Sequence, residues 1–421
     1  MKRYSEYKDS GVKWIGEIPE HWKCIKSKWL LHERNERSED GLDEPLSMSQ
    51  KLGLVPTSDL GSIPNLASSY VGAKIVYKGD MVLNKLKAHL GVFALSNYKG
   101  LVSPDYAVYY STQITNFNYL LYLYKTPLYI AEFVKRTTGI AIGFNRLYTN
   151  DLYSIYTHYP PLPEQEAIVT YLDSKVAKID EYISIAEKKI AALEELKQTI
   201  IAEAVTRGIH KDVPMKDSGV KWIGMIPEHW KIRKMKFVFK ERSEKGYPNE
   251  PVLSATQSNG VIPQSMYENR VVVVNKGFEN LKLVCKGDFV ISLRSFQGGI
   301  EYAYYRGIIS AAYTILTKSA EFLNEGYVKN LFKSHPFVQL LKTCVTGIRE
   351  GQNINYSLLR DKYIPVPPLP EQQEIVTYLD SKVANINQLC QAERSQIEKL
   401  KEYKQRLISD VVTGKVKVTN D

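Results

Sequence analysis

Two segments of this 421-residue chain occur twice, and that duplication constrains its fold more than any other feature. Residues 8–23, KDSGVKWIGEIPEHWK, recur at 216–231 with 15 of 16 positions identical, and we call this segment the GVKW repeat. Residues 160–180, PPLPEQEAIVTYLDSKVAKID, recur at 367–387 with 17 of 21 positions identical, and we call it the PPLPEQ repeat. Because both pairs have nearly the same offset, we expect two tandem halves, each with a GVKW repeat, a variable domain and a PPLPEQ repeat.

The two variable domains share scaffold positions but differ in the side chains between them. VYKGDMVLNKLK (76–87) matches VCKGDFVISLRS (284–295), a Gly-Asp turn leading into a β-like run. TTGIAIGFNRL (137–147) parallels VTGIREGQNIN (345–355), a Thr-Gly loop after a helical stretch. This pattern indicates one fold that carries two different surfaces.

Each PPLPEQ repeat is predicted to begin a long amphipathic helix. Pro163 suits the first helical position, and Glu164 and Glu166 suit the positive end of the helix dipole. Apolar residues then recur at alternating steps of four and three, as in a heptad seam, with a lysine at the same seam position in both copies. The predicted helix-pairing residues are Leu172, Val176, Ile179, Ile183, Ile190, Leu193 and Ile200, then Leu379, Val383, Ile386, Ile397, Leu400, Leu407 and Val411.

The two seams are predicted to pair as an antiparallel coiled coil with a variable domain at each end. A helix over 172–204 would be on the order of 50 Å long, and the two helices would end near Gly208 and Gly414. The alternative is two separate amphipathic helices, each packed on its own domain. It is less favoured because a seam of this length needs a matching one.

The predicted fold class is therefore α+β, with two mixed α/β domains joined by two long helices in a pseudo-two-fold internal repeat. The predicted boundaries are 1–158 and 209–365 for the domains, and 159–208 and 366–421 for the helices.

The positive charge of the chain is concentrated in the variable domains. The formal net charge is +4 for residues 1–158 and +9 for 209–365, against −3 for 159–208 and 0 for 366–421. Basic domains suit a polyanion such as nucleic acid, although surplus lysine also serves solubility. There is no apolar N-terminal run or membrane-length segment, and the four cysteines form no CxxC, so we expect a cytoplasmic protein with reduced thiols and no membrane partner.

No motif in the sequence supplies catalytic chemistry. A Walker A sequence, a GxGxxG following a strand and an HExxH are all missing. His21 and His229 fall in the GVKW repeat, where a structural role is favoured over catalysis. We therefore expect no catalytic residue, metal site or cofactor in this chain. The enzyme alternative is a nuclease or methyltransferase with an unrecognised site.

The ordered recurrence of GVKWIGEIPEHW, the KGDMV/KGDFV turn and PPLPEQ with its heptad helix resembles the specificity (S) subunits of type I restriction–modification systems, over essentially the whole chain. The resemblance implies that each variable domain is a target recognition domain that reads one half of a bipartite double-stranded DNA sequence. It implies that the helices set the spacing and dock two methyltransferase (modification) subunits, with restriction subunits possible. S-adenosylmethionine, ATP and Mg²⁺ are then expected in the partner subunits. The alternative is a coiled-coil scaffold whose domains bind DNA without sequence preference.

Candidate DNA contacts are the polar residues beyond the KGD strand and around the Thr-Gly loop. Arg and Lys suit guanine or phosphate, while Asn and Gln can read adenine. For any single residue the alternative is an ordinary solvated side chain. The predicted DNA-binding residues are Lys85, Lys87, His89, Arg136, Asn145 and Arg146 in the first domain, and Arg294, Ser295, Gln297, Arg349, Gln352, Asn353 and Asn355 in the second.

Overall fold

The computed structural model describes residues 2–49, 52–61, 69–111, 115–138, 145–267, 277–347 and 353–418. The fold divides into two compact units, one formed by Met1–Ala186 with Ser395–Asp421 and the other by Glu187–Arg394. Each unit therefore contains one variable domain and a part of each long helix.

In the described part of the chain, the first unit is built on short antiparallel strands and three short α-helices. Its strands are β1 (Tyr7–Asp9), β2 (Glu17–Pro19), β3 (Lys23–Lys26), β4 (Leu31–Arg34), β5 (Leu46–Ser49), β6 (Gly53–Pro56), β7 (Lys74–Val76), β8 (Met81–Asn84), β9 (Phe93–Leu95), β10 (Gly100–Val102), β11 (Tyr106–Ser111) and β12 (Tyr156–Tyr159). Its short helices are α1 (Phe117–Tyr124), α2 (Pro127–Arg136) and α3 (Thr149–Ser154). The largest sheet has the order β4-β11-β8-β9. The long helix α4 (Leu162–Arg207) begins in this unit.

The second unit repeats this arrangement. Its strands are β13 (Met215–Asp217), β14 (Met225–Pro227), β15 (Lys231–Lys234), β16 (Phe239–Arg242), β17 (Leu253–Thr256), β18 (Gly260–Pro263), β19 (Lys282–Val284), β20 (Phe289–Ile291), β21 (Glu301–Tyr302), β22 (Gly307–Ile309), β23 (Thr314–Lys318), β24 (Val345–Thr346), β25 (Asn353–Ile354) and β26 (Tyr363–Val366). Its helices are α5 (Ser295–Gly298), α6 (Glu325–Lys333), α7 (His335–Lys342), α8 (Tyr356–Leu359) and the start of α9 (Leu369–Val412). The sheet order β16-β23-β20-β21 is the counterpart of that in the first unit.

The two long helices pack together, as predicted, but both are longer than the apolar seam. The helix α4 has 46 residues and α9 has 44, and Pro163 is the second residue of α4 rather than the first. All the predicted helix-pairing residues are buried or half-buried.

The lysines that interrupt the seam make polar contacts within each unit. In the first unit Lys404 Nζ lies 2.7 Å from both carboxylate oxygens of Asp180. In the second, Lys197 Nζ donates to Asn387 Oδ1 at 3.2 Å, and Lys189 Nζ lies 2.5 Å from Glu393 Oε1. Because position 189 faces 393 and position 197 faces 387, the two helices run antiparallel in that unit.

A buried glutamate at the start of each long helix joins it to the GVKW repeat. Glu164 Oε2 lies 2.8 Å from His21 Nε2 and accepts from Trp22 Nε1 at 3.0 Å, while its Oε1 accepts from Tyr4 Oη at 2.5 Å. In the second unit Glu371 Oε2 lies 2.7 Å from His229 Nε2 and 3.0 Å from Trp230 Nε1. The two histidines therefore have the structural role that the repeat predicts.

Each domain also holds the end of the other long helix. The Tyr119 hydroxyl donates to the Val412 carbonyl at 3.0 Å, and the equivalent Tyr327 hydroxyl donates to the Val205 carbonyl at 3.0 Å. Both helices end at a left-handed glycine, Gly208 with φ 79° and Gly414 with φ 76°, as predicted. A domain is thus anchored to two helix ends, the start of one helix and the end of the other.

Candidate nucleic-acid interface

The KGD turn is fixed by the same ion pair in both domains. Arg34 Nε donates to Asp80 at 2.9 Å, and Arg242 Nε donates to Asp288 at 3.0 Å. Each aspartate also accepts the backbone N–H three residues before it. These buried carboxylates fix where β8 and β20 begin, so the turns beyond those strands start from equivalent positions.

The turn after each of these strands ends at a left-handed glycine. In the first domain it is a 3₁₀ turn over Lys85–Leu90, followed by Gly91 with φ 63°. In the second, α5 is followed by Gly299 with φ 90°, and a Cβ there would come within 2.3 Å of the Phe332 carbonyl oxygen. Only glycine fits this close approach, so the second turn, like the first, reverses at a glycine.

In the first domain the structure brings the two predicted groups of contacts together. The Leu147 N–H donates to the Lys85 carbonyl at 3.1 Å, which joins the turn after β8 to the segment after the Thr-Gly loop. Partial burial lowers the pKa of Lys85, and the nearby charges of Lys74 and Arg146 lower it further. Arg146 in turn lies 3.2 Å from Asp105. Lys85 and Arg146 therefore lie close together, and Glu33 and Asp105 partly offset their charge.

The side chains of the other predicted residues of this domain differ in their exposure to solvent. Lys87, His89 and Asn145 are exposed. Arg136 is half-buried and donates to Glu132 at 2.9 Å and to Ser154 at 2.7 Å. Its guanidinium therefore connects α2 to α3.

In the second domain α5 packs against α7 and β25, so the two predicted groups again meet. Arg294, Gln297 and Asn353 are exposed. Ser295 is only 2% exposed, and its hydroxyl oxygen accepts from the Ser292 N–H at 2.8 Å. Its position inside the turn keeps this hydroxyl away from the surface.

Asn355 has a local structural role, since its Oδ1 accepts from the Ser357 N–H at 3.0 Å and caps α8. Arg349 and Gln352 lie outside the described residues.

A partly buried ion pair supports the turn after β20, and sequence reasoning missed it. Lys333 Nζ lies 2.5 Å from Glu301 Oε1 and also donates to the carbonyls of Gly298 and Gln257 at 3.0 and 3.2 Å. One ammonium thus joins α5, the β17–β18 hairpin and the end of α6. Glu301 pairs with Val290 of the neighbouring strand. The equivalent pair in the first domain is Ala94 with Val82, so an alanine occupies the position of Glu301 there. The only sequence signal was a glutamate beside apolar Ile300 in a strand.

The outward faces of the long helices carry exposed apolar and acidic side chains. Exposed large apolar residues are Tyr182, Ile185 and Leu196 on α4, and Tyr378, Leu389 and Tyr403 on α9. The acidic residues Glu181, Glu187 and Glu195 of α4 are exposed as well. Among the residues described, no helix is long and apolar enough to cross a membrane, and no cluster of three or more His, Cys, Asp or Glu side chains is arranged to hold a metal ion.

Comparison with known proteins identifies the family. The sequence pattern of the type I restriction modification DNA specificity domain matches residues 28–195 and again 227–399. The two matches cover most of the chain, one in each half. The chain belongs to this family. It is a type I restriction–modification specificity subunit with two recognition domains, and the family consists of specificity subunits rather than catalytic ones.

Individual relatives match this chain over nearly their whole length. The putative type I restriction enzyme MjaX specificity subunit of Methanocaldococcus jannaschii is 24% identical over 96% of both chains. The MjaVIII specificity subunit of the same organism is 24% identical over 96% of this chain and 95% of the relative.

Solved structures share the fold of this subunit at low sequence identity. A chain from a structural study of type I R-M complex assembly and conformational transition aligns with a TM-score of 0.69 at 16% identity, over 94% of this chain and 98% of that one. The HsdS subunit from Thermoanaerobacter tengcongensis aligns with a TM-score of 0.52 at 16% identity, over 95% of this chain and 98% of that one.

Proposed function

We propose that each recognition domain of this specificity subunit reads one half of a bipartite DNA target. The observation that carries the proposal is the pair of reading faces. Both domains bring the turn after the KGD strand against the segment after the Thr-Gly loop, but with different exposed side chains. Lys87, His89 and Asn145 stand on one face, and Arg294, Gln297 and Asn353 on the other. Different donors and acceptors in one frame fit different base sequences.

The long helices would set the spacing between the two half-sites. The helix α4 has 46 residues and is therefore about 70 Å long. Successive major grooves on one side of a duplex are about 34 Å apart, so a rigid connector of this length suits two sites separated by unread DNA. Two short sites also multiply specificity, since each good bidentate contact contributes about 1–3 kcal/mol of discrimination.

The outward helix faces would dock the methyltransferase subunits. Exposed aromatic and aliphatic side chains such as Tyr182, Ile185 and Leu389 are typical anchors of protein interfaces. Because the helices repeat, two such subunits would dock on equivalent surfaces. In such a complex S-adenosylmethionine would bind to the methyltransferase subunits, and ATP and Mg²⁺ to any restriction subunits.

The test is a domain exchange. Residues 23–158 are replaced by the corresponding domain of another specificity subunit, the complex with the methyltransferase is assembled, and the methylated sites are mapped by sequencing. We expect one half-site to change while the other half-site and the spacer are kept. Exchanging residues 231–365 in the same way should change the other half-site. Unchanged half-sites in either exchange would contradict the proposal, and methylation without any preferred site would favour the non-specific scaffold.

A further inference from the structure

Beside each reading face lies a short turn that carries a lysine and an exposed aromatic residue. In the first domain it is the 3₁₀ turn Ser27–Trp29, and in the second the 3₁₀ turn Met235–Phe237. Trp29 is 63% exposed and Phe237 is 67% exposed. A large aromatic ring left open to water at the same position of both domains points to a partner.

Lysine ammonium groups lie over these rings in both domains. Lys28 Nζ is 4.8 Å from the centre of the Trp29 ring, and Lys236 Nζ is 5.5 Å from that of Phe237. A second lysine in each domain lies over a tyrosine of the neighbouring strand. Lys26 Nζ is 5.5 Å from the centre of the Tyr156 ring, and Lys234 Nζ is 5.4 Å from that of Tyr363. We call these groups the anchor turns. The first anchor turn consists of Lys26, Lys28, Trp29 and Tyr156, and the second of Lys234, Lys236, Phe237 and Tyr363.

The anchor lysines are the same in both halves although most of the residues around them differ. In the aligned segments 24–34 and 232–242 most positions differ, but four residues are the same. Two of these, Glu33 and Arg34, form ion pairs with Lys74 and Asp80 inside the domain, and their counterparts do likewise. The other two are the anchor lysines, whose cation–π contacts are to rings at the surface. Neither pair of lysines belongs to the buried core, so their charge is available at the surface.

One acidic residue stands beside the second anchor turn. Asp361 lies 2.6 Å from Lys236. Hydrogen bonding to Lys236 holds the pKa of Asp361 below its usual value, and the charges of Lys234 and Arg360 add to this effect. Three cations around one carboxylate leave the turn positively charged.

The anchor turns sit next to the reading faces in the same way in both domains. The turn Ser27–Trp29 packs against α3, the helix that follows the Arg146 segment. In the second domain the Lys236 N–H donates to the Arg360 carbonyl at 2.9 Å, directly after α8, which follows Asn353. One short helix therefore separates each reading segment from its anchor turn.

We propose that the anchor turns bind the backbone phosphates that flank the bases read by each domain. The proposal rests on the proposed function only in that the domains contact duplex DNA. The two reading faces differ, so a surface common to both domains fits a feature common to both half-sites, and the phosphate backbone is that feature. Lysine binds phosphate as a compact point charge. The aromatic ring beneath it restricts a flexible side chain before DNA arrives.

The test compares the salt dependence of DNA binding. The full-length chain and the variant Lys26→Gln/Lys28→Gln/Lys234→Gln/Lys236→Gln are titrated with a random-sequence duplex, long enough to span both domains, at several salt concentrations. We expect the slope of log K against log salt to fall by about 0.9 for each phosphate that a lysine no longer neutralises, up to about 3.6 for four lysines. Affinity should fall equally for all sequences, and the methylated site should not change.

The chain offers a matched control. Lys175 lies over Tyr171 and Lys382 over Tyr378, each at 5.7 Å, so the long helices carry a second duplicated pair of lysine–aromatic contacts. Lys175→Gln/Lys382→Gln should leave the slope unchanged. Its counterpart of equal charge is Lys28→Gln/Lys236→Gln, which should lower the slope by about 1.8.

Two results would overturn the anchor proposal, namely an unchanged slope in the anchor variant or an equal fall in the helix control. An unchanged slope together with a failure to co-purify the methyltransferase would mean that the turns face a protein. The two proposals also fail separately. If the slope falls as expected but no bipartite site is methylated, the anchors stand and the proposed function fails. If bipartite methylation persists with an unchanged slope, the proposed function stands and the anchor proposal fails.

Discussion

At the scale of single residues, the carboxylates of Glu164 and Glu371 connect the two repeated sequences. Each accepts a hydrogen bond from the tryptophan of its GVKW repeat and contacts the adjacent histidine. The first-turn position of these glutamates is explained by the helix dipole, but their burial is explained only by these partners. This contact joins the GVKW repeat to the PPLPEQ repeat in each half.

The ion pair between Lys333 and Glu301 yields a prediction about stability and pH. In Lys333→Met the carboxylate of Glu301 stays buried without its cation, which should destabilise the second unit by about 3–5 kcal/mol at neutral pH. Burial raises the pKa of Glu301 and Lys333 opposes that rise, so the variant should raise it further. Between the pKa of glutamate in the unfolded state and its raised pKa in the folded state, the folded state holds a proton that the unfolded state has released. The free energy of unfolding therefore falls as pH rises between these two values. Urea unfolding should show a larger loss at about pH 7 than at about pH 5.

A control variant lies one turn earlier in the same helix. Lys329 is exposed, and Lys329→Met should change the unfolding free energy by no more than about 0.5 kcal/mol. An equal loss for Lys333→Met at both pH values would show that the buried carboxylate is not the cause.

At the scale of elements, the heptad seam of α4 and α9 is the part of the fold that follows most directly from sequence. Apolar residues at seam spacing are buried because each helix presents one continuous apolar stripe and the other helix repeats it. The start of α4 was predicted to within one residue, since Pro163 was expected first and is second. The helices begin at Leu162 and Leu369, and near these starts Gln165 and Gln372 accept from the Asn116 and Asn324 N–H groups of their domains.

Two leucines of α9 give a matched test of this packing. Leu379 is 1% exposed and Leu389 is 50% exposed. Leu379→Asp should cost about 4 kcal/mol or more, because it removes core packing and buries a charge. Leu389→Asp should stay within about 0.5 kcal/mol yet weaken methyltransferase binding if the outward face is the docking surface. Chemical unfolding and co-purification measure the two effects. Similar losses of stability in both variants would contradict the seam.

At the scale of the whole molecule, the two halves make the same contacts through different connectivity. After Gly208 the backbone runs directly into the second GVKW repeat. Near Gly414 the contact is made by hydrogen bonds, since the Tyr7 hydroxyl donates to the Gly414 carbonyl at 3.1 Å and the Lys417 N–H donates to the Lys2 carbonyl at 3.0 Å. Hydrogen bonds therefore join the end of α9 to the segment before the first GVKW repeat.

This arrangement predicts that the chain tolerates circular permutation. Joining Asp421 to Met1 with a short Gly–Ser linker and opening the chain between the exposed Lys211 and Asp212 should preserve the melting temperature and both methylated half-sites. Opening it instead between Glu187 and Lys188, inside α4, should destabilise both units because it interrupts a helix that they share. A permutant opened at 211/212 that fails to fold would show that the covalent link is required.

The sequence alone determined the duplication, the α+β class, the paired helices, the KGD turns and the family, because each depends on the local spacing of residues or on a repeated segment. The tertiary structure alone decided which candidate contacts are available. Ser295 lies inside its turn and Arg136 holds α3, while Lys87 and Asn145 stand exposed, although all four looked alike as polar loop residues. It also revealed the Lys333–Glu301 pair and the Glu164 contact with Trp22, which join residues 32 and 142 positions apart. Pairings of this kind depend on how the chain folds back on itself, and no local periodicity records them.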